Sequence, residues 1–346
     1  MIHASLNMKL TGWFQVGWSA DFVIGTVKPL RYFGEDLVAF RCKQGKLRIM
    51  EAHCKHLGAH LGHGGCVVDD GIACPFHGWV WRPDGRNARI PYQEDAPNRT
   101  RQLKVWHVLE KNDSIYLWHD VQGRDPLWEV PDALNDFGDH VQQFKFDPPG
   151  VEARSHWPNL HLHPQMLLEN IVDPHHFKFT HHTKDSPTVL SEQIGKWEWR
   201  AKVGFGRRWA EGRMPADATL NTIIIHWSGM GVSINVEHTP VGVRVVCINS
   251  TPVDEDTAEI FATYWISQTE DNPAAYEERL NEAKIALPQD VNIWHNQIFR
   301  EDPALTASEW PGWRKARTWS KRFNPDATIE QQEWVPPTSP LRQATT

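Results

Sequence analysis

Cys54-Lys55-His56, followed after seventeen residues by Cys74-Pro75-Phe76-His77, decides how this sequence is read. Each half pairs one sulfur donor with one ring-nitrogen donor. Two thiolates on one iron and two imidazoles on the other make the ligand set of a Rieske-type [2Fe-2S] centre, whereas a plant-type ferredoxin needs four cysteines. Structural zinc uses the same residue types but sorts them into a cysteine pair and a histidine pair. The mixed pairs therefore favour Cys54, His56, Cys74 and His77 as cluster ligands.

Around these pairs, Leu57 to Leu61 and Gly71 to Trp79 read as tight, glycine-bearing loops. Backbone N–H groups in such loops can approach cluster sulfurs and raise the potential. Short runs of strand character surround them: Lys28 to Tyr32, a hairpin of Gly34 to Arg41 and Lys46 to Met50 turning at Gln44-Gly45, then Cys66 to Val68, Gly71 to Ala73 and Ser114 to His119. Trp79, Val80 and Trp81 alternate like a half-buried strand, with the tryptophans packed behind the cluster loops. Residues 12–125 are expected to form this all-β module, because Gln122 to Pro126 is a turn-rich exit.

At 346 residues the chain is long enough for two or three domains. Its net charge of -7 and the lack of a basic block argue against a nucleic-acid partner. Five cysteines at wide spacing do not form a disulfide framework. With two assigned to the cluster, Cys42, Cys66 and Cys247 are expected as buried thiols, and a reducing cytoplasm as the location. The first twelve residues lack a signal-peptide pattern, and no run of apolar residues is long enough for a membrane span.

A cluster of this kind only transfers electrons, so the chemistry needs a second site. The segment from Met166 to His182 holds Asn170, Asp173, His175, His176, His181 and His182. Apolar Met166, Leu167, Ile171 and Val172 fit a helix that ends or distorts near Pro174, with Asn170 and Asp173 sharing a face. Mononuclear Fe(II) that activates O2 takes two histidines and one carboxylate on one face and leaves positions open. By residue type, any two of the four histidines can serve, although adjacent ones diverge on a regular strand.

Taken together, the two motifs resemble those of the terminal oxygenase components of Rieske-type non-haem iron oxygenases. Asn170, Asp173, His176 and His181 resemble that family's Asn-x-x-Asp-x-x-His-x-x-x-x-His pattern. The resemblance implies His176 and His181 as iron ligands, and Asp290, followed by Ile293-Trp294, as the third. Pro288-Gln289-Asp290 also suits a helix start, where an N-cap or first-turn carboxylate is favoured; Asp302 is the competing carboxylate. Asp173 is implied to link His176 to His77 of a neighbouring subunit, in a homotrimer whose electrons cross between subunits.

Within the family, Ile72 to His77 with Trp79 and Trp81, Ile90-Pro91-Tyr92, Leu117 to Asp120, Glu169 to Asp173 and Asp290 to Trp294 resemble the 3-ketosteroid 9alpha-hydroxylase oxygenase group. This implies O2-dependent hydroxylation of a bulky apolar ring system. Gly78 departs from that group, which often has Asp there, as do the Pro174-His175 pair and the short chain. Dioxygenation, oxidative demethylation and sterol desaturation are the alternative reactions; an electron-transfer protein without oxygenase activity is the alternative of a different class. Without a dinucleotide fingerprint, the chain is expected to draw on NADH or NADPH only through a separate ferredoxin or flavin reductase.

The expected fold class is α+β, with a catalytic domain over 126–332 and a loose tail at 333–346. Its antiparallel sheet is read from Trp197 to Val203, Leu220 to Ile225, Gly231 to Glu237, Gly242 to Ile248 and Glu259 to Trp265. Asp271 to Leu287 reads as its clearest helix. Met166, Trp227, Met230, Ile234, Trp294 and Phe299 are the candidate lining of an apolar substrate pocket.

Overall fold

The computed structural model describes residues 6–94, 96–183, 186–205, 222–239, 242–268 and 275–327. Parts of three expected elements lie outside these residues: 220–221 of one strand, 271–274 of the long helix, and the whole 333–346 tail.

The N-terminal part is built of three small antiparallel sheets. One joins Val27–Tyr32, Glu35–Arg41, Leu47–Glu51 and Val105–Trp106. Its first hairpin turns through Phe33 and Gly34, both at positive φ, so Gly34 belongs to the turn and not to the strand expected there. A two-residue turn of this kind matches the right-handed twist of the strands it joins. The second sheet, Cys66–Val68, Gly71–Ala73, Val80–Trp81 and Asn87–Arg89, carries the second cysteine-histidine loop between its middle strands. Cys66 opens an edge strand there and is exposed, against the expected buried thiol, while Cys42 and Cys247 are buried. A separate small core of Val38, Phe40, Met50, Leu61, Ile72 and Trp81 encloses Cys54 and Cys74.

The C-terminal part is organised by one seven-stranded antiparallel sheet. Its strands are β1 (Arg154–Leu160), β2 (Thr188–Ile194), β3 (Glu198–Gly204), β4 (Thr222–Ser228), β5 (Val232–Thr239), β6 (Gly242–Pro252) and β7 (Ala258–Ile266). The order β1-β7-β6-β5-β4-β3-β2 is a meander of six consecutive strands, with β1 added at the edge of the last. The long β1–β2 connection leaves the sheet to form α1 (Pro164–Glu169) and α2 (His175–Phe179), and α3 (Ala275–Ala283), α4 (Ala286–Asn296) and α5 (Trp310–Ser320) follow β7. The α+β class and the sheet flanked by helices are as the sequence indicates.

Two helices are shorter than their sequence patterns. The Met166 to Val172 run is α1 followed by a 3-10 turn at Asn170–Val172. The run expected as one helix to Leu287 breaks at Lys284-Ile285, and α4 starts at Ala286. Pro288 is tolerated there because the first-turn N–H groups of a helix have no partner within it.

Because side chains alternate along a strand, the sheet has two distinct faces. Val246 and Ile248 of β6 and Tyr264 of β7 point to the helices. Their alternates Asn249, Thr251 and Thr263 point to the N-terminal module: Gln15 Oε1 accepts from Asn249 Nδ2 at 2.7 Å, Thr251 Oγ1 donates to the Gln15 carbonyl at 2.5 Å, and Trp18 Nε1 donates to Thr263 Oγ1 at 2.8 Å. At the β4–β5 turn, a Cβ on Gly231 would stand 2.3 Å from the Trp13 carbonyl oxygen and 2.5 Å from the Phe14 ring. The carbonyl belongs to a backbone strand and cannot rotate away. Gly231→Ala is therefore expected to cost about 2–3 kcal/mol of stability, read as a lower urea midpoint in equilibrium unfolding.

Candidate metal centres and substrate cavity

The two cysteine-histidine loops repeat one backbone pattern. Gly58 N–H donates to the Cys54 carbonyl at 2.9 Å and Cys54 N–H to the Ala59 carbonyl at 2.9 Å; Gly78 N–H donates to Cys74 at 3.0 Å and Cys74 N–H to Trp79 at 2.8 Å. Gly58 and Gly78 close the turns at φ 76° and 71°, a conformation that favours glycine. The glycine at position 78 thus has a backbone reason where the resembling group often has Asp.

Both cysteines are buried and unpaired, while His56 and His77 stand half-buried at the outer side with ring centroids 4.7 Å apart. Burial pushes the Cys54 thiol up, and its neighbour Cys74 adds to this. His77 Nδ1 is buried and has no hydrogen-bond partner among the described residues. An orphaned ring nitrogen beside two buried sulfurs fits a cluster that takes up thiolate charge and a nitrogen lone pair. Trp81 Nε1 donates to Cys54 Sγ at 3.3 Å, and Trp79 stacks on His56 at 4.7 Å. Val80, Trp79 and Trp81 are all buried, so this strand is not half-exposed, and the tryptophans contact the donor groups directly.

In the second segment the geometry distinguishes the four histidines. His175 and His182 are exposed, whereas the His176 and His181 rings turn inward with centroids 5.2 Å apart. Asp290 joins them, and one donor atom from each of the three lies within 4.8 Å of the others. Asp290 Oδ2 stands 3.2 Å from His181 Nε2. It is the fifth residue of α4, two residues further in than a helix start at Pro288 would place it. Asp302 does not join this group.

Each inward imidazole is oriented through its other nitrogen. His176 Nδ1 bonds the Asp173 carbonyl, and His181 Nδ1 bonds Gln289 Oε1 at 2.9 Å. A carbonyl partner selects the tautomer with the proton on Nδ1, which leaves Nε2 as a free electron pair. Burial, first of all, holds the His176 pKa low and keeps that ring neutral; Asp290 opposes the shift. Asp173 acts on His176 differently from the carboxylate-to-ring contact expected. Its Oδ1 accepts the main-chain N–H groups of His175 at 3.0 Å and His176 at 3.2 Å, and its carbonyl reaches the ring. The other carboxylate oxygen has no partner among the described residues.

The three donors border a cleft of about 850 Å³, mouth included, between the sheet and the helices. Trp227 and Trp294 line it, as does Asn170. Met166, Met230, Ile234 and Phe299 do not. Met166 is buried in α1, where Leu167 and Ile171, four residues apart, take the cavity side. Ile234 is on the opposite sheet face, Met230 is enclosed at the β4–β5 turn, and the Phe299 ring lies under the Arg317 guanidinium at 4.7 Å. What sequence reading missed is the floor: Ile223, Ile225, Val246 and Ile248, crossed by a polar column of Ser233, Asn235 and Glu237.

Comparison with known proteins agrees with this architecture. A family model described as the Rieske [2Fe-2S] domain matches residues 12–107, and one described as the 3-ketosteroid 9alpha-hydroxylase C-terminal domain matches residues 117–324. The chain is a Rieske oxygenase. More narrowly, it belongs to the 3-ketosteroid 9alpha-hydroxylase family, since that domain spans more than half of it. It is 29% identical to a probable 3-ketosteroid-9-alpha-monooxygenase oxygenase component of Rhodococcus rhodochrous, over 94% of this chain and 82% of that one. It is 27% identical to the cholesterol 7-desaturase of Hemicentrotus pulcherrimus, over 90% and 69% of the two chains. Among solved structures, dicamba monooxygenase bound to dicamba superposes with a TM-score of 0.67 at 16% identity, covering 91% of this chain and 98% of that one. Pseudomonas putida NdmA with caffeine superposes at 0.68 and 17%, covering 93% and 97%. At these identities the solved structures speak for the fold alone.

Trp81 offers a direct check on the cluster site. Trp81→Phe deletes the N–H that reaches Cys54 Sγ, and a hydrogen bond worth about 1 kcal/mol corresponds to roughly 40 mV for one electron. The cluster midpoint potential is expected to fall by about that amount in a spectroscopic redox titration.

Proposed function

We propose that this chain is a terminal oxygenase that takes electrons at the cluster held by Cys54, His56, Cys74 and His77 and hydroxylates a bulky apolar substrate at a mononuclear iron held by His176, His181 and Asp290. The observation that carries the reading is the convergence of two inward imidazoles and one carboxylate on the wall of an apolar cleft. Two histidines and a carboxylate suit Fe(II) with positions left open, and iron bound there supplies the activation of O2. The chain's own residues do the rest. Asp173 and Gln289 fix the two rings, Asn170 borders the cleft beside them, and Trp227, Trp294 and the isoleucines of the floor exclude water and hold the ring system.

Electrons are proposed to cross between subunits of a homotrimer, from His77 of one chain to His176 of the next, with the free oxygen of Asp173 bridging them. Within one chain the N-terminal module docks through Gln15 and Trp18 on the sheet face opposite the cleft, which supports transfer across a subunit boundary. NADH or NADPH is the ultimate donor, through a separate ferredoxin, flavin reductase or both. A cytoplasmic location is proposed with these partners. Among the described residues no helix is long and apolar enough to cross a membrane.

Hydroxylation of a 3-ketosteroid at C9 is the specific reaction proposed, on the strength of the family and the Rhodococcus rhodochrous relative. Sterol desaturation is the second reading, favoured by the similarity to the cholesterol 7-desaturase.

The decisive measurement is a reductase-coupled, oxygen-dependent panel of 3-ketosteroids, sterols and aromatic ring compounds with product masses determined. A ketosteroid product heavier by one oxygen supports hydroxylation, a product lighter by two hydrogens supports desaturation, and no product from any class refutes the oxygenase reading for bulky apolar ligands. In the same panel His181→Ala is expected to lose product formation by at least a thousandfold while keeping the Rieske absorption spectrum. Unchanged turnover would reject His181 as a ligand. Asp173→Asn is expected to slow single turnover from a pre-reduced cluster by at least tenfold with little change in substrate affinity; a normal rate would reject the bridge.

A further inference from the structure

The cleft floor is a grid. Direct cross-strand pairs run Trp227–Ser233–Ile248 in one row, Ile225–Asn235–Val246–Tyr264 in the next, and Ile223–Glu237–Arg244 in the third. The column contributed by β5 is polar while the columns on both sides are largely apolar. Asn is a poor strand former, and an amide next to an apolar ligand loses water unless the ligand replaces it. These three residues do not have equivalent roles. Glu237 is engaged by Arg244 Nη2 at 2.8 Å, and Ser233 is buried. Asn235 is half-exposed to the cleft, and its one hydrogen bond among the described residues, to the Val246 carbonyl, is stretched to 3.5 Å.

A second group in the same row points the same way. Tyr264 lines the cleft and is 1% exposed, and the Ser155 side chain is the only polar neighbour of its hydroxyl among the described residues, outside ordinary hydrogen-bond geometry. Buried hydroxyls are rarely left so, and one that is calls for a missing partner. Asn235 and Tyr264 flank Val246, at strand spacings that put their backbones roughly 10 Å apart. A flat ring lying on Val246 would meet an amide on one side and a phenol on the other.

We infer that Asn235, assisted by Tyr264, is the specificity-determining group of the cleft, and that it reads a neutral oxygen function, a carbonyl or a hydroxyl, on an otherwise apolar ring ligand. The inference rests on the proposed bulky apolar substrate class and adds what that class must carry. The amide can donate to a carbonyl or accept from a hydroxyl, and the phenol can do the same, so both oxygen types are admitted. A deoxygenated analogue keeps the apolar contacts but strips water from the amide and the phenol without replacing it, and sites built on hydrogen bonds discriminate strongly against such analogues.

The test is equilibrium dialysis on the purified holoprotein with two matched probe pairs, testosterone with androstane and fluorenone with fluorene. For at least one pair the wild-type protein is expected to bind the oxygenated member about tenfold more tightly or better. Asn235→Leu, close in shape, is expected to reduce that preference to about threefold or less, with androstane or fluorene binding at least as tightly as to the wild type because no amide is dehydrated, and Tyr264→Phe to give an intermediate ratio. Hydrocarbon binding retained at wild-type affinity or tighter reports an intact cleft in each variant. A wild-type ratio near one for both pairs, or a preference that survives Asn235→Leu, overturns the inference and leaves the apolar-ring reading standing. Failure of the wild-type protein to bind either member of either pair overturns the apolar-ring reading itself, and this inference with it.

Discussion

Everything in this molecule depends on the strict alternation of side chains along one seven-stranded sheet. Successive residues point to opposite faces, and here both faces are covered. One face receives the N-terminal module through Gln15 and Trp18, which meet Asn249, Thr251 and Thr263. The other faces the helices and forms the floor of the cleft. A one-residue slip of β5 would put Ile234 and Val236 in the cleft and its polar column against the module, so register and function are one constraint.

The electron-receiving end works by a different device. Two loops of the same backbone pattern, each closed by a glycine at positive φ, hold two buried sulfurs behind two half-buried rings. The sulfurs sit in a core of their own, against a buried tryptophan N–H, where a thiolate without a positive partner would be costly. The rings stand at the outer side, where an electron can leave. At the catalytic end the orienting groups are a main-chain carbonyl and the side chain of Gln289. The inward face of the imidazole pair is therefore set by a turn and a helix start.

Much of this was legible in the residues themselves. The paired Cys-x-His and Cys-x-x-His text named a cofactor because coordination chemistry is local and spacing restricts it. The sheet was readable from its runs of branched residues, and Trp227 and Trp294, two of the expected lining residues, stand on the cleft. Other features were read in part or not at all, for reasons that differ. The 3-10 turn at Asn170 is the distortion expected before Pro174, and the break at Lys284-Ile285, four residues before Pro288, has the same local cause and was overlooked. Met166 was chosen where Leu167 lines the cleft, because an apolar helix buried on every side gives no signal of which side faces a cavity. Gln289 carried no signal at all, since its role exists only when α4 meets His181.

The polar column of β5 shows where sequence stops. Ser233, Asn235 and Glu237 alternate with Ile234 and Val236, a pattern that ordinarily marks one face for water and the other for the core. By that rule Ile234 belonged to the pocket and the polar residues to solvent. The sequence by itself determined that β5 has two unlike faces and that four residues are chemically suited to a cluster. Only the tertiary structure decided that helices cover the polar face, turning it from a wetted surface into the floor of a cleft. It likewise decided which two of four histidines meet Asp290. Periodicity reports that two faces differ, but what lies against each face is set by contacts between residues far apart in the chain.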